Sequence, residues 1–150
     1  MPWVRVRLSE VTADVNATGA IHHIDITVAN PDRSLDFYDR VLTLMGFSRI
    51  DDAPEGPIWA GAHVEVGLQA ARPGSSPKHD RYAPGLHHLA FTAPTRQAVD
   101  SFYDKLTEFG LVVLDPPADY PHYAPGYYAV FFADPDGVKL EYVFTPEWPA

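Results

Sequence analysis

Two histidine pairs and one late glutamate supply the residue types from which a divalent-metal site can be built. His22-His23 and His87-His88 stand 65 residues apart, each at the start of an alternating run, and Glu141 lies in a third such run, Val138 to Phe144. Side chains alternate across a strand, so His23 shares a face with Asp25 and Thr27, while His22 joins Ile24, Ile26 and Val28 on the apolar one. In the same way His88 joins Ala90 and Thr92, against His87, Leu89, Phe91 and Ala93. Glu141 projects away from Val138, Leu140, Tyr142 and Phe144. If helices cover the apolar faces, then His23, His88, Glu141 and Gln69 line a shared cleft. Two imidazoles and a carboxylate leave positions open on a divalent ion, which suits binding of a substrate oxygen better than structural zinc. Glu141 is also the catalytic candidate, as the group that would move a proton.

The elements that must position these groups are written twice. Phe37-Tyr38 recurs as Phe102-Tyr103, again 65 residues on, so each histidine pair opens a strand-then-helix unit. The first helix is predicted to be capped by Asn30 with Pro31 in its first turn, to turn Leu35, Tyr38, Val41, Leu42 and Met45 inward, and to stop at Gly46. The second starts near Thr95, buries Val99, Phe102, Tyr103, Leu106 and Phe109, and stops at Gly110. A first module over about 20–72, a linker over 73–84 and a second module over about 85–146 are expected to form one domain spanning 1–150. Val4, Val6 and Leu8 suggest an edge strand or appended arm in the first 19 residues. A turn is expected at Asp51–Pro57, and Asp134-Pro135-Asp136-Gly137 is a strong turn signal. Asp115–Gly126, with four prolines, is expected to be a loop flanking the cleft.

Composition removes several function classes. Eleven Lys plus Arg against 20 Asp plus Glu give a net charge of −9, which repels nucleic acid and anionic membrane surfaces. There is no cysteine for disulfide or thiolate chemistry. With no long apolar run and no signal-like N-terminus, a cytoplasmic protein acting on a small molecule is expected, as monomer or homodimer.

The segments HHIDITVANPDRSLDFYDRVL, GLHHLAFTAPTRQAVDSFYDKL and FFADPDGVKLEYVF resemble the glyoxalase/bleomycin-resistance/extradiol-dioxygenase, or vicinal oxygen chelate, superfamily from about Ile21 to Phe144. The resemblance implies an α+β fold, with two βαβββ modules forming one cupped eight-stranded sheet and helices on its outer faces. It implies one divalent metal ion (Fe, Mn, Ni, Zn or Co) with His23, His88 and Glu141 as ligands. Gln69 takes the fourth position, where relatives carry Glu or His, and Glu65 is its substitute on the same face. The implied activity is a metal-dependent glyoxalase-like lyase or isomerase acting on an oxygen-chelating substrate. The alternatives are an Fe(II) ring-cleaving dioxygenase and a non-catalytic drug-binding resistance protein.

Trp59, Phe131 and Tyr128 are expected to offer stacking surface to a ligand, with His122 and Tyr123 on the substrate side. His22 and His87 are expected to be partly buried between sheet and helix, and His63 and His79 to be solvated.

Overall fold

A computed structural model of the chain describes residues 18–50 and 56–147. The edge strand or arm expected before residue 19 and most of the expected Asp51–Pro57 turn lie outside the described residues.

The first module runs β1 (His23–Val28), α1 (Pro31–Leu44), β2 (Ser48–Ile50), β3 (Ile58–Ala60) and β4 (Glu65–Ala70). The second runs β5 (Leu89–Thr92), α2 (Arg96–Glu108), β6 (Val113–Asp119), β7 (Tyr128–Ala133) and β8 (Lys139–Phe144). Each is βαβββ, and the eight strands form two four-stranded mixed sheets ordered β1-β4-β3-β2 and β5-β8-β7-β6. In both, the first strand pairs in parallel with the last, and the two remaining strands add antiparallel.

The helices begin and end where the sequence signals lie. The Asn30 side chain accepts from the Arg33 N–H at 3.0 Å, and Thr95 Oγ1 accepts from the Ala98 N–H at 3.0 Å. Gly46 and Gly110 end them with φ of 86° and 67°, a left-handed conformation that glycine adopts without strain. Phe37, Tyr38, Val41 and Leu42 of α1 and Val99, Phe102 and Leu106 of α2 are buried.

One core joins the modules. The Phe132 ring of β7 lies 6.3 Å from Phe37 of α1 and 5.3 Å from Phe102 of α2, and Ile26, Val28, Val66 and Leu140 belong to the same cluster. The apolar faces of β1 and β5 enter this core, whereas His23, Asp25, Thr27, His88, Ala90 and Thr92 are exposed on the polar faces.

The Asp134–Gly137 turn fastens the second module to the first. The Tyr38 hydroxyl donates to Asp134 Oδ2 at 2.8 Å, and the Ala29 N–H donates to Asp136 Oδ2 at 2.7 Å. Arg33 Nη2 reaches Asp136 Oδ1 at 2.9 Å. Asp134 Oδ1 also accepts from the N–H groups of Asp136 and Val138, at 2.9 and 2.8 Å, which shapes the turn itself.

The expected loop from Asp115 is a strand as far as Asp119, despite Pro116 and Pro117. β6 is an edge strand whose pairing with β7 shifts between Val113 and Asp115 and between Asp115 and Ala118. Those irregularities absorb the missing proline N–H groups. The remainder, Tyr120–Gly126, is a turn.

Candidate functional site

β8 carries Glu141 into a wall of aromatic rings. Phe131 of β7 is its ladder partner, and the Tyr120 ring meets Phe131 edge-on at 5.3 Å. Tyr123 stacks with Tyr120 at 5.8 Å and lies 5.2 Å from Tyr127, while His122 packs on Tyr123 at 4.2 Å. Beneath these rings Glu141 is 1% exposed, and Oε1 accepts a short hydrogen bond from the Tyr127 hydroxyl. The other oxygen, Oε2, lies 3.3 Å from His88 Nε2.

Burial pushes the Glu141 carboxyl above the ordinary glutamate range, with the Tyr127 hydroxyl and the Lys139 ammonium partly offsetting it. His88 is held below the usual imidazole value, first by burial and then by Lys139 and Arg81. At neutral pH the imidazole is thus neutral, beside a carboxyl of raised basicity.

Each histidine pair makes the same contact. His22 and His23 approach Nδ1 to Nδ1 at 3.0 Å, and His87 and His88 do so at 2.8 Å. Such a contact needs one ring to donate and the other to accept, so at least one ring of each pair is neutral. With Nδ1 engaged, His88 Nε2 is the nitrogen turned to Glu141. His22 and His87 are exposed, not packed between sheet and helix. They precede the first residues of β1 and β5, beyond the helices' cover, and bond their neighbours instead.

The donors suit a small divalent ion in part. Two neighbouring ligands at bond lengths of about 2.0–2.2 Å in tetrahedral geometry stand about 3.3–3.6 Å apart, and His88 Nε2 and Glu141 Oε2 lie at the short end of that range at 3.3 Å. His23 does not join them: among the described residues no three His, Cys, Asp or Glu side chains converge on one point. Glu65 lies level with His23, and Gln69 lies level with Thr27, further along β4.

Two expected ligand-facing aromatics sit elsewhere. Trp59 is fully buried against α1, its Nε1–H donating to Asp39 Oδ1 at 3.0 Å, because β3 turns that face into the core. Tyr128 faces α2, where its hydroxyl donates to Asp100 at 2.6 Å and Arg96 lies 3.9 Å over its ring. It therefore points away from Glu141, as alternate positions of β7 must. His79 is tied down, Nε2 lying 2.8 Å from the Leu86 carbonyl oxygen. Strand alternation in the sequence does not reach Tyr127 and Tyr120, since Tyr127 precedes β7, whose faces are both apolar, and Tyr120 follows β6.

The family model described as Glyoxalase/Bleomycin resistance protein/Dioxygenase superfamily matches residues 20–142. The chain belongs to this superfamily. Its similarity to the uncharacterized protein YqjT of Bacillus subtilis (strain 168) is 34% identity over 124 residues, covering 82% of this chain and 97% of that one. Among solved superfamily folds, a Bacillus halodurans protein provisionally described as a glyoxalase superposes with a TM-score of 0.74 at 28% identity, covering 88% of this chain and all of the other. The lactoylglutathione lyase of Agrobacterium tumefaciens superposes with a TM-score of 0.63 at 21% identity, over 88% and 98% of the two chains. At that identity the likeness is one of fold. Among the described residues of this superfamily member, no helix is long and apolar enough to cross a membrane.

Proposed function

We propose that this superfamily member is a metal-dependent, glyoxalase-like lyase or isomerase acting on a small substrate that chelates through oxygen. The observation that carries the reading is the buried Glu141 carboxylate, held by Tyr127 and set 3.3 Å from His88 on a polar sheet face. His88 Nε2 and Glu141 would hold one divalent ion together with His23. When bound, the ion would supply Lewis-acid stabilisation of negative charge developing on a substrate oxygen. Glu141 would take a proton from the carbon beside that oxygen and return it to a neighbouring atom. The Tyr127 hydroxyl would orient the carboxylate, and the Tyr120–Tyr123 roof would exclude water from it.

The His88–Glu141 pair stands apart from His23, and the polar faces of β1 and β5 are exposed. His23 would therefore come from a second copy, in a homodimer. Ile21, Leu86 and Tyr82, at 62%, 42% and 78% exposure beside the histidine pairs, give that association an apolar rim.

Metal analysis of the purified protein, followed by a screen of 2-oxoaldehyde thiol adducts, catechols and epoxides, tests the reading. Stoichiometric metal and turnover abolished by chelation are expected. Ring cleavage of a catechol would replace the lyase assignment with a dioxygenase. Mixing His23→Ala with Glu141→Gln should restore part of the metal binding, because one mixed site then has every donor. No restoration would overturn the shared-site arrangement. The aromatic roof of Tyr120, His122, Tyr123 and Phe131 favours a second reading, sequestration of a flat ligand without turnover. Tight ligand binding by metal-free protein would favour it.

A further inference from the structure

We infer that Lys139, with Arg81 behind it, binds an anionic group of the substrate, so that the molecule taken at Glu141 carries a carboxylate. The inference rests on the reading of His88 and Glu141 as the substrate site proposed above.

Lys139 lies two residues before Glu141 on β8, so the two side chains share a face of the sheet. Its ammonium leans across to β7 and stands 4.0 Å over the Phe131 ring. Phe131 is the ladder partner of Glu141, so the cation sits on the same aromatic wall as the carboxylate. Arg81 reaches the site through the histidine pair: its guanidinium lies 5.0 Å over Tyr82, and the Tyr82 ring lies 5.7 Å from His87, which bonds His88. Both cations hold His88 below the usual imidazole value, so their fields reach its ring.

Among the described residues the cations that pair with no carboxylate are Arg72, Lys78, Arg81 and Lys139. Arg72 and Lys78 are exposed to water, whereas Arg81 and Lys139 are half-buried. A half-buried cation gives up hydration that a ring face returns only in part. Asp115, the ladder partner of Phe131 on β6, faces the same wall, yet neither it nor Glu141 forms an ion pair with Lys139. The ammonium is thus left for an anion that arrives with the substrate. Residues two apart on a strand, or paired across a ladder, are about 5–7 Å apart, so that anion stands about one aromatic ring away from a carbon held over Glu141. A single ammonium at the wall, with the guanidinium further off, matches a singly charged carboxylate better than a phosphate dianion.

The test is calorimetric titration of zinc-loaded, full-length protein with 3,4-dihydroxybenzoate and with 3,4-dihydroxybenzamide, which share a ring and vicinal oxygens and differ in charge. Wild type should bind the benzoate about tenfold more tightly than the amide. Lys139→Gln should lose most of that preference with its amide affinity unchanged, Lys139→Arg should keep it, and Arg81→Gln should lose part of it. Arg72→Gln removes the same charge at a distance and should leave the preference intact. Circular dichroism and a thermal melt establish that each variant is folded. Equal binding of the two probes by wild type, or an equal fall for both in Lys139→Gln, overturns the inference, and turnover in the substrate screen would then leave the lyase reading standing alone. If the preference and its dependence on Lys139 persist in protein that takes up no zinc, the metal reading falls and the anion site stands. If neither probe binds, the reading of His88 and Glu141 as the substrate site falls and the inference falls with it.

Discussion

Glu141 is a carboxyl whose surroundings oppose its own charge, and that gives it a measurable signature. Its folded-state pKa is raised, so ionising it costs folding free energy. The cost is absent below the ordinary glutamate value of about 4.3, grows as pH rises toward the raised folded value, and is complete above it. Glu141→Gln should therefore melt higher than wild type in metal-free protein at neutral pH. The difference should close as pH falls toward about 4, and melting curves taken across that range check it. With metal present the order should reverse, because only the wild type gains binding energy. Tyr127→Phe removes the hydroxyl that counters the effect of burial on Glu141. The acid limb of the pH–rate profile should then move to higher pH, and an unmoved limb would remove Tyr127 from the site. His23, His88 and Glu141 are legible as polar-face residues because their strands alternate cleanly. Tyr127 is not, since it precedes β7 and period-two reasoning assigns faces only within a strand.

Both helices can be read from sequence nearly to the residue because caps, apolar spacing and glycine stops agree with one another. β6 resembles a loop in sequence because proline is a poor guide at a sheet edge, where ladder bonds are optional on one side. β2 and β3, three residues each, are too short for any period to register. Trp59 shows how this matters for function: without the pairing of β3 its direction is open, and it turns into the core. Trp59→Phe should thus cost about 0.5–1.5 kcal/mol through loss of the bond to Asp39. It should leave ligand affinity unchanged, which denaturant melts and a binding titration measure separately. On α2, Thr95→Ala should cost about 1 kcal/mol by removing the cap on Ala98.

The two modules share one core and a set of bonds that the sequence repeat does not announce. Tyr38 to Asp134, and Ala29 and Arg33 to Asp136, cross between modules over roughly a hundred residues of chain. We expect a single cooperative unfolding transition, and Tyr38→Phe should lower stability by about 1–3 kcal/mol, since it leaves a buried Asp134 oxygen without its donor. Two separate transitions would count against one cooperative unit. The strand-to-strand turn at the corresponding place in the first module, Gly61-Ala62-His63, has no carboxylate to make a matching bond. The covalent connection through Ser75 and Ser76 is then not what keeps the halves in register: both serines are exposed, and the bonds that do the fastening are made by residues elsewhere. A break there converts an intramolecular association into a bimolecular one without removing any of those bonds. Fragments 1–75 and 76–150, each unable to cover its own apolar face, should complement one another when co-expressed and elute together, which makes this chain a natural scaffold for a split reporter.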